Sequence, residues 1–219
     1  MSVGLQPAIL QTPSTEKAPP QYSPIESLLP NAAATTLSKV FLATVQQHSN
    51  QVACSIARSE GTGRERHISV VPWKWSEYGN AAKRFAKALI AQGVGPKEVV
   101  TIQGSNSPQW LSAHIGTILA GAISAGVYQT NGDKVCQHIV ESSGAKIAVV
   151  EDGSQLKKYE SVQSTALKCI VVWNKTASPS AHVPVLSMEE FLQTGDAVPD
   201  EALEARIEGQ KADDPCALL

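Results

Sequence analysis

From residue 98 to residue 192 the chain alternates short apolar runs with stretches whose apolar residues recur every three or four positions. Residues 98–103, 122–127, 146–150 and 168–173 read as strands. Between them, Ser107-Pro108 opens a helix with a capping hydroxyl and a proline in its first turn. That helix carries Trp110, Leu111, His114, Ile115, Ile118 and Leu119. Residues 133–143 form a second helix ended by Gly144, residues 155–162 are helical, and Ser187 caps a short helix through Phe191 and Leu192. Strands and helices in strict alternation, with short connections, predict an α/β fold: a mostly parallel, doubly wound sheet with helices on both faces.

The residues before this series differ in kind. Six of the thirteen prolines fall within residues 1–30, where only Glu16, Lys17 and Glu26 carry charge. Proline removes backbone donors and few large apolar groups repay the entropy of ordering, so residues 1–34 are expected to be a disordered tail. The tail lacks the basic start and apolar run of a secretory signal, and no arginine precedes Arg58. Beyond it, Thr36 can cap a helix whose face is Leu37, Val40, Phe41 and Val45. Residues 51–58 and 67–71, around Gly61-Thr62-Gly63, predict a β-hairpin. Ser76 can then cap a helix with the stripe Tyr78, Ala82, Phe85 and Leu89, stopped by Gly93.

Eighteen basic and twenty acidic side chains give a formal charge of −2, which argues against a dedicated nucleic-acid binder. The four cysteines (Cys54, Cys136, Cys169 and Cys216) are widely spaced and read as reduced thiols of an intracellular protein. No run approaches the length of a membrane-spanning helix.

The local motifs of common chemistries are incomplete. Gly116, Gly121 and Gly126 are spaced by five, but no Lys-Ser/Thr follows, and Gly61–Gly63 and Gly93–Gly95 supply only G-x-G. Residues 122–126 come within one residue of a G-x-S-x-G nucleophile elbow, but a helix precedes them and Ser124 falls inside the strand, where a packed small residue is expected. Cys136 and His138 sit two apart on a helix and so face different ways, and zinc needs about four converging ligands. His114 lies on an apolar helix face without a visible catalytic partner. Cys216-Ala217-Leu218-Leu219 fits C-a-a-X, but Asp213-Asp214 would repel anionic lipid; the alternative is that residues 217–219 begin a buried strand.

Several stretches together resemble one family, the adenylate-forming enzymes, and within it the long-chain acyl-CoA synthetases of the bubblegum type. Trp75-Ser76-Glu77-Tyr78 and the helix after it resemble the first core motif. Gly104-Ser105-Asn106-Ser107-Pro108-Gln109-Trp110 resembles the G-x-N-S-x-E-W segment, with Gln109 in place of glutamate. Residues 118–122 and 126–131, ending Tyr128-Gln129-Thr130-Asn131, resemble the second core motif of the long-chain branch. Val150-Glu151-Asp152 and Gln155-Leu156 keep the register. On physical grounds Trp75 and Tyr78 are expected to pack a helix start onto the sheet, and Gly121 and Gly126 to permit close helix–sheet approach.

The resemblance covers residues 35–219 and implies a partial AMP-binding domain. It implies ATP-dependent activation of a fatty acid to an acyl-adenylate, then transfer to coenzyme A, with ATP, magnesium and coenzyme A used by the full-length family. It places the phosphate loop directly after residues 212–219, and it transfers no catalytic, cofactor-binding or metal-binding role to any residue of this chain. The expectation is therefore a portion of a long-chain fatty acid–CoA ligase, inactive alone. It would be intracellular, cytoplasmic or peripheral to the endoplasmic reticulum membrane, and would bind no nucleic acid. Two alternatives stay open: a non-catalytic interaction module pairing through an exposed sheet edge, and a small Rossmann-like nucleotide-binding protein.

Overall fold

A computed structural model describes residues 34–60, 67–174 and 182–218; the proline-rich tail and the Gly61–Gly63 turn lie outside them. Helix α1 (Leu37–His48) leads into strands β1 (Val52–Glu60) and β2 (His67–Lys74), which pair antiparallel as the expected hairpin. Helix α2 (Trp75–Ala91) follows β2 without a loop. The series then runs β3 (Val99–Gln103), α3 (Pro108–Leu119), β4 (Ile123–Val127), α4 (Asp133–Ser143), β5 (Ile147–Val150), α5 (Gly153–Leu156) and β6 (Cys169–Val172). It closes with β7 (Val185–Ser187), α6 (Met188–Gln193), α7 (Asp200–Glu208) and β8 (Ala217–Leu218).

Six strands form one sheet in the order β7-β6-β5-β3-β4-β8, and every neighbouring pair is parallel. Parallel strands buried on both faces need no polar alternation, and β3, β5 and β6 are buried at every position. Alternate residues of each strand enter two separate cores. Val100, Ile102, Ile147, Val149 and Val171 meet α1, α2, α3, α6 and α7 through Phe41, Phe85, Leu119, Phe191 and Leu203. Val99, Ala125, Ala148, Val150 and Ile170 meet α4 and α5 on the other face through Cys136, Val140 and Leu156.

Local chemistry explains most element boundaries. The Ser107 hydroxyl accepts from the Trp110 N–H at 3.1 Å, and Pro108 opens α3. Gly144 ends α4 at φ 62°, and Gly93 follows α2 at φ 68°. Ser187 and Glu190 form a reciprocal capping box at α6.

Four expectations need correction. Ser76 does not cap α2: the cap lies two residues earlier, at Lys74, the helix starts at Trp75, and the Glu77 carboxylate accepts the Lys74 N–H at 2.7 Å. Helix α1 is rotated from its expected face, with Leu37 and Val40 exposed at 45% and 48%. Ser38 turns inward instead, because its hydroxyl donates to Gln210 Oε1 at 2.7 Å. Residues 155–162 are not one helix. Asp152 caps α5, which tightens into a 3-10 turn over Lys157–Tyr159, and that turn stacks buried Tyr159 three residues from buried Leu156. Finally, Ala217 and Leu218 do form a strand, but an exposed one at the sheet edge rather than a buried one.

The glycines also divide differently from expectation. Gly126 has open space where a Cβ would stand, and Gly121 is required by its φ of +75°. Close approach belongs instead to Gly116, where an added Cβ would lie 2.7 Å from the Ala82 carbonyl oxygen of α2.

Candidate functional site

The chain leaves β3 toward the α3 face, whereas it leaves β4 and β5 toward the α4 and α5 face. Such a reversal opens a crevice at the carboxyl ends of the strands, where α/β sheets bind ligands. A cleft of about 510 Å³ occupies this point, walled by Gly104, Ser105 and Asn106 after β3, by Trp110 of α3, and by residues 126–130. Gly126 leaves the cleft floor free of a side chain, and Tyr128 stands 81% exposed at its rim. A second cleft of about 860 Å³ shares Ser105, Asn106 and Trp110 and reaches Cys54–Ala57 of the hairpin.

One carboxylate organises this end of the sheet. Glu151, at the end of β5, accepts from the Ser105 N–H at 2.8 Å and the Ser105 hydroxyl at 2.7 Å. It also accepts from Gln129 Nε2 at 2.8 Å and Asn174 Nδ2 at 3.3 Å. The loops after β3, β4, β5 and β6 thus meet on a single side chain. The sequence shows Glu151 only as part of a register match; its contacts join residues 46 and 22 positions apart, which no local pattern reveals.

Below the cleft, the structure supplies the partner for His114 that the sequence lacks. Nδ1 of His114 lies 2.8 Å from the Ser124 hydroxyl, and its ring stacks on Trp110 at 5.1 Å. Burial pushes the His114 pKa below its ordinary 6.5. Ser124 is only 2% exposed and sits within β4, so the pair is a buried hydrogen bond rather than an accessible nucleophile, as its strand position implies. On the opposite, α4 face of the sheet, Gln103 is fully buried, and its Nε2 donates to the Tyr128 carbonyl at 2.8 Å and lies 3.4 Å from the Cys136 sulfur.

The remaining sequence candidates scatter. Gly116, Gly121 and Gly126 lie in α3, in a turn and in β4, so they form no phosphate cradle. Cys136 is buried while His138 is exposed, and all four cysteines are free thiols. Burial pushes the Cys169 thiol up to about 11. Trp75 and Tyr78 pack with Trp73 of the hairpin and Phe41 of α1, and Tyr78 belongs to the core that also holds Val100 and Ile102 of the sheet. Among the described residues, no three His, Cys, Asp or Glu groups converge in a way that could hold a metal.

Residues 43–219 match the family model described as AMP-binding enzyme. The chain belongs to the AMP-binding enzyme family. Within it, this chain is 32% identical over 186 residues to Long-chain-fatty-acid--CoA ligase ACSBG1 of Homo sapiens, a match that covers 84% of this chain and 24% of the relative. It is 36% identical over 155 residues to the protein of the same name in Macaca fascicularis, covering 70% of this chain and 21% of that one. The chain thus spans about a quarter of the length of these curated relatives. The fold of this AMP-binding family member also matches the A domain of a carboxylic acid reductase from Segniliparus rugosus, solved with AMP and a co-purified carboxylic acid. That likeness has a TM-score of 0.65 at 13% identity, and covers 79% of this chain and 32% of the other; it speaks for the fold.

Proposed function

We propose that this chain serves long-chain fatty acid–CoA ligation, contributing the first part of an adenylate-forming domain. The observation that carries the proposal is about one-third identity, over most of the chain, to ligases of that name. In the reaction, a fatty acid carboxylate oxygen attacks the α-phosphorus of ATP and pyrophosphate leaves. The thiolate of coenzyme A then attacks the acyl carbonyl carbon and AMP leaves.

Both steps develop negative charge on oxygen, which fixed cations and N–H donors must offset. The switch-point cleft is lined by glycines, neutral polar groups and aromatics, with no lysine or arginine. Nor do its residues fit magnesium: the nearby carboxylate, Glu151, is already taken up by four donors. The residues lining this cleft therefore supply wall and floor, and the charge-stabilising groups of the reaction are proposed to come from outside that lining. On this ground the 219-residue chain is proposed to be inactive by itself.

Incubating the purified chain with oleate, ATP-magnesium and coenzyme A should yield no oleoyl-CoA above a protein-free blank. Placing its residues in the matched segment of human ACSBG1 should give an active chimera. Oleoyl-CoA made by the chain alone would overturn the inactivity. A folded but inactive chimera would count against the ligase assignment. We further propose a location in the cytoplasm or on the endoplasmic reticulum surface, which fractionation would test. No helix among the described residues is long and apolar enough to cross a membrane.

A further inference from the structure

We propose that Glu151 is the positioning residue of the switch-point cleft, holding its two lips at a fixed separation through one carboxylate. The inference rests on that cleft being the functional site. One lip begins at Gly104-Ser105 after β3, and the other carries Tyr128 and Gln129 after β4. These strands are direct neighbours in the sheet; beyond their ends no backbone ladder holds the loops, and Gln103 Nε2 reaches only the Tyr128 carbonyl. Glu151 spans the gap, with Oε2 accepting from both lips, the Ser105 N–H and Gln129 Nε2.

The residue type matters. An ionised carboxylate is acceptor-only and offers about four lone-pair sites, and here four neutral donors use them. A glutamine would turn one oxygen into a donor facing other donors. An aspartate would fall one methylene short. Among the described residues no lysine or arginine forms an ion pair with Glu151, so neutral donors hold it, and three of the four come from Ser105 and Gln129 of the cleft lips. The side chain is itself confined, since a Cβ added to Gly104 would lie 2.9 Å from Glu151 Cβ.

The backbone around Glu151 is bonded independently of its side chain. Its N–H donates to the Gln103 carbonyl at 3.0 Å, and its carbonyl accepts from the Asn174 N–H at 2.6 Å. Removing the carboxylate should therefore release the lips and leave the sheet.

Amide hydrogen exchange on the 219-residue chain tests this. In Glu151→Ala, residues 104–106 and 128–131 should exchange about tenfold faster, the effect of losing one charge-assisted hydrogen bond, with Val100–Ile102 and Ile147–Val149 unchanged. Glu151→Gln, keeping one acceptor oxygen, should fall between. Gln129→Ala should free residues 128–131 while leaving Ser105 protected, which keeps the inference testable if Glu151→Ala does not fold. Lips that exchange as in the wild type, or only in step with the sheet core, would overturn it. Exchange is read without substrate, so a failed ligase assay and a failed positioning role give separate results.

Discussion

Replacing Gly116 with alanine probes a close contact between α3 and α2. In an exposed helix interior the change would stabilise by about 1 kcal/mol, because alanine loses less backbone entropy. Here the new Cβ would meet the Ala82 carbonyl oxygen at 2.7 Å and Phe85 Cβ and Cδ1 at 2.8 and 2.9 Å. The first of these is backbone of α2 and cannot rotate away, and Phe85 is fully buried. Forcing a methyl group into such a contact costs about 1–3 kcal/mol, so after the propensity gain of about 1 kcal/mol the net effect should be a destabilisation of up to about 2 kcal/mol. For a chain of this size that lowers Tm by up to about 8 °C. Gly126→Ala is the matched control: nothing lies within 4 Å of its added Cβ and its φ is not positive, so it should be neutral or stabilise by up to about 1 kcal/mol. Thermal melts followed by far-UV circular dichroism compare the two. A Gly116→Ala protein that melts at or above the wild type would refute the claim that the α2–α3 spacing is set at this glycine.

Gln210→Ala should destabilise by about 1–3 kcal/mol in urea titration: Gln210 Nε2 donates to the Ile118 and Leu119 carbonyls at the end of α3, and its Oε1 receives the buried Ser38 hydroxyl. Gln210→Glu should be worse, since it replaces that donor with negative charge at a helix carboxyl end. Asp152→Ala removes the α5 cap, whose carboxylate accepts from the Ser154 and Gln155 N–H groups, and should cost about 0.5–2 kcal/mol. Because burial lowers the His114 pKa below 6.5, the unfolded chain binds its proton more readily than the folded one. This contribution to stability is complete above pH 6.5 and is lost as pH falls toward the folded-state value. Chemical denaturation between pH 7 and pH 5 should show it, and His114→Gln should flatten the slope.

The parallel sheet was legible because its signals are local. Ser107-Pro108, Gly144 and the apolar run 146–150 each declare a boundary within a few residues of themselves. Failures came where a distant partner decided. Ser38 faces inward only because Gln210, 172 residues away, waits for its hydroxyl, and an apolar stripe on α1 cannot show that. The 3-10 turn at Lys157–Tyr159 is set by where Tyr159 must be buried, not by helix propensity. The cleft itself was half visible. Its wall segments 104–110 and 126–131 stand out as motifs, but the carboxylate joining them, and the hydrogen bond from His114 to Ser124, exist only once the strands are side by side.

The two cores flanking the sheet are unequal in a way that bears on how the molecule comes apart. On the α2–α3 side the central strand β3 presents Val100 and Ile102; on the α4–α5 side it presents Thr101 and Gln103 together with Val99. Thr101 Oγ1 and Gln103 Oε1 are buried there without a hydrogen-bond partner among the described residues, each at a penalty of about 1–3 kcal/mol. Water admitted beneath α4 would relieve both penalties, whereas water admitted beneath α3 would find only hydrocarbon at β3. Unfolding should therefore begin as a peeling of α4 and α5, with α2 and α3 still clasped to the opposite face.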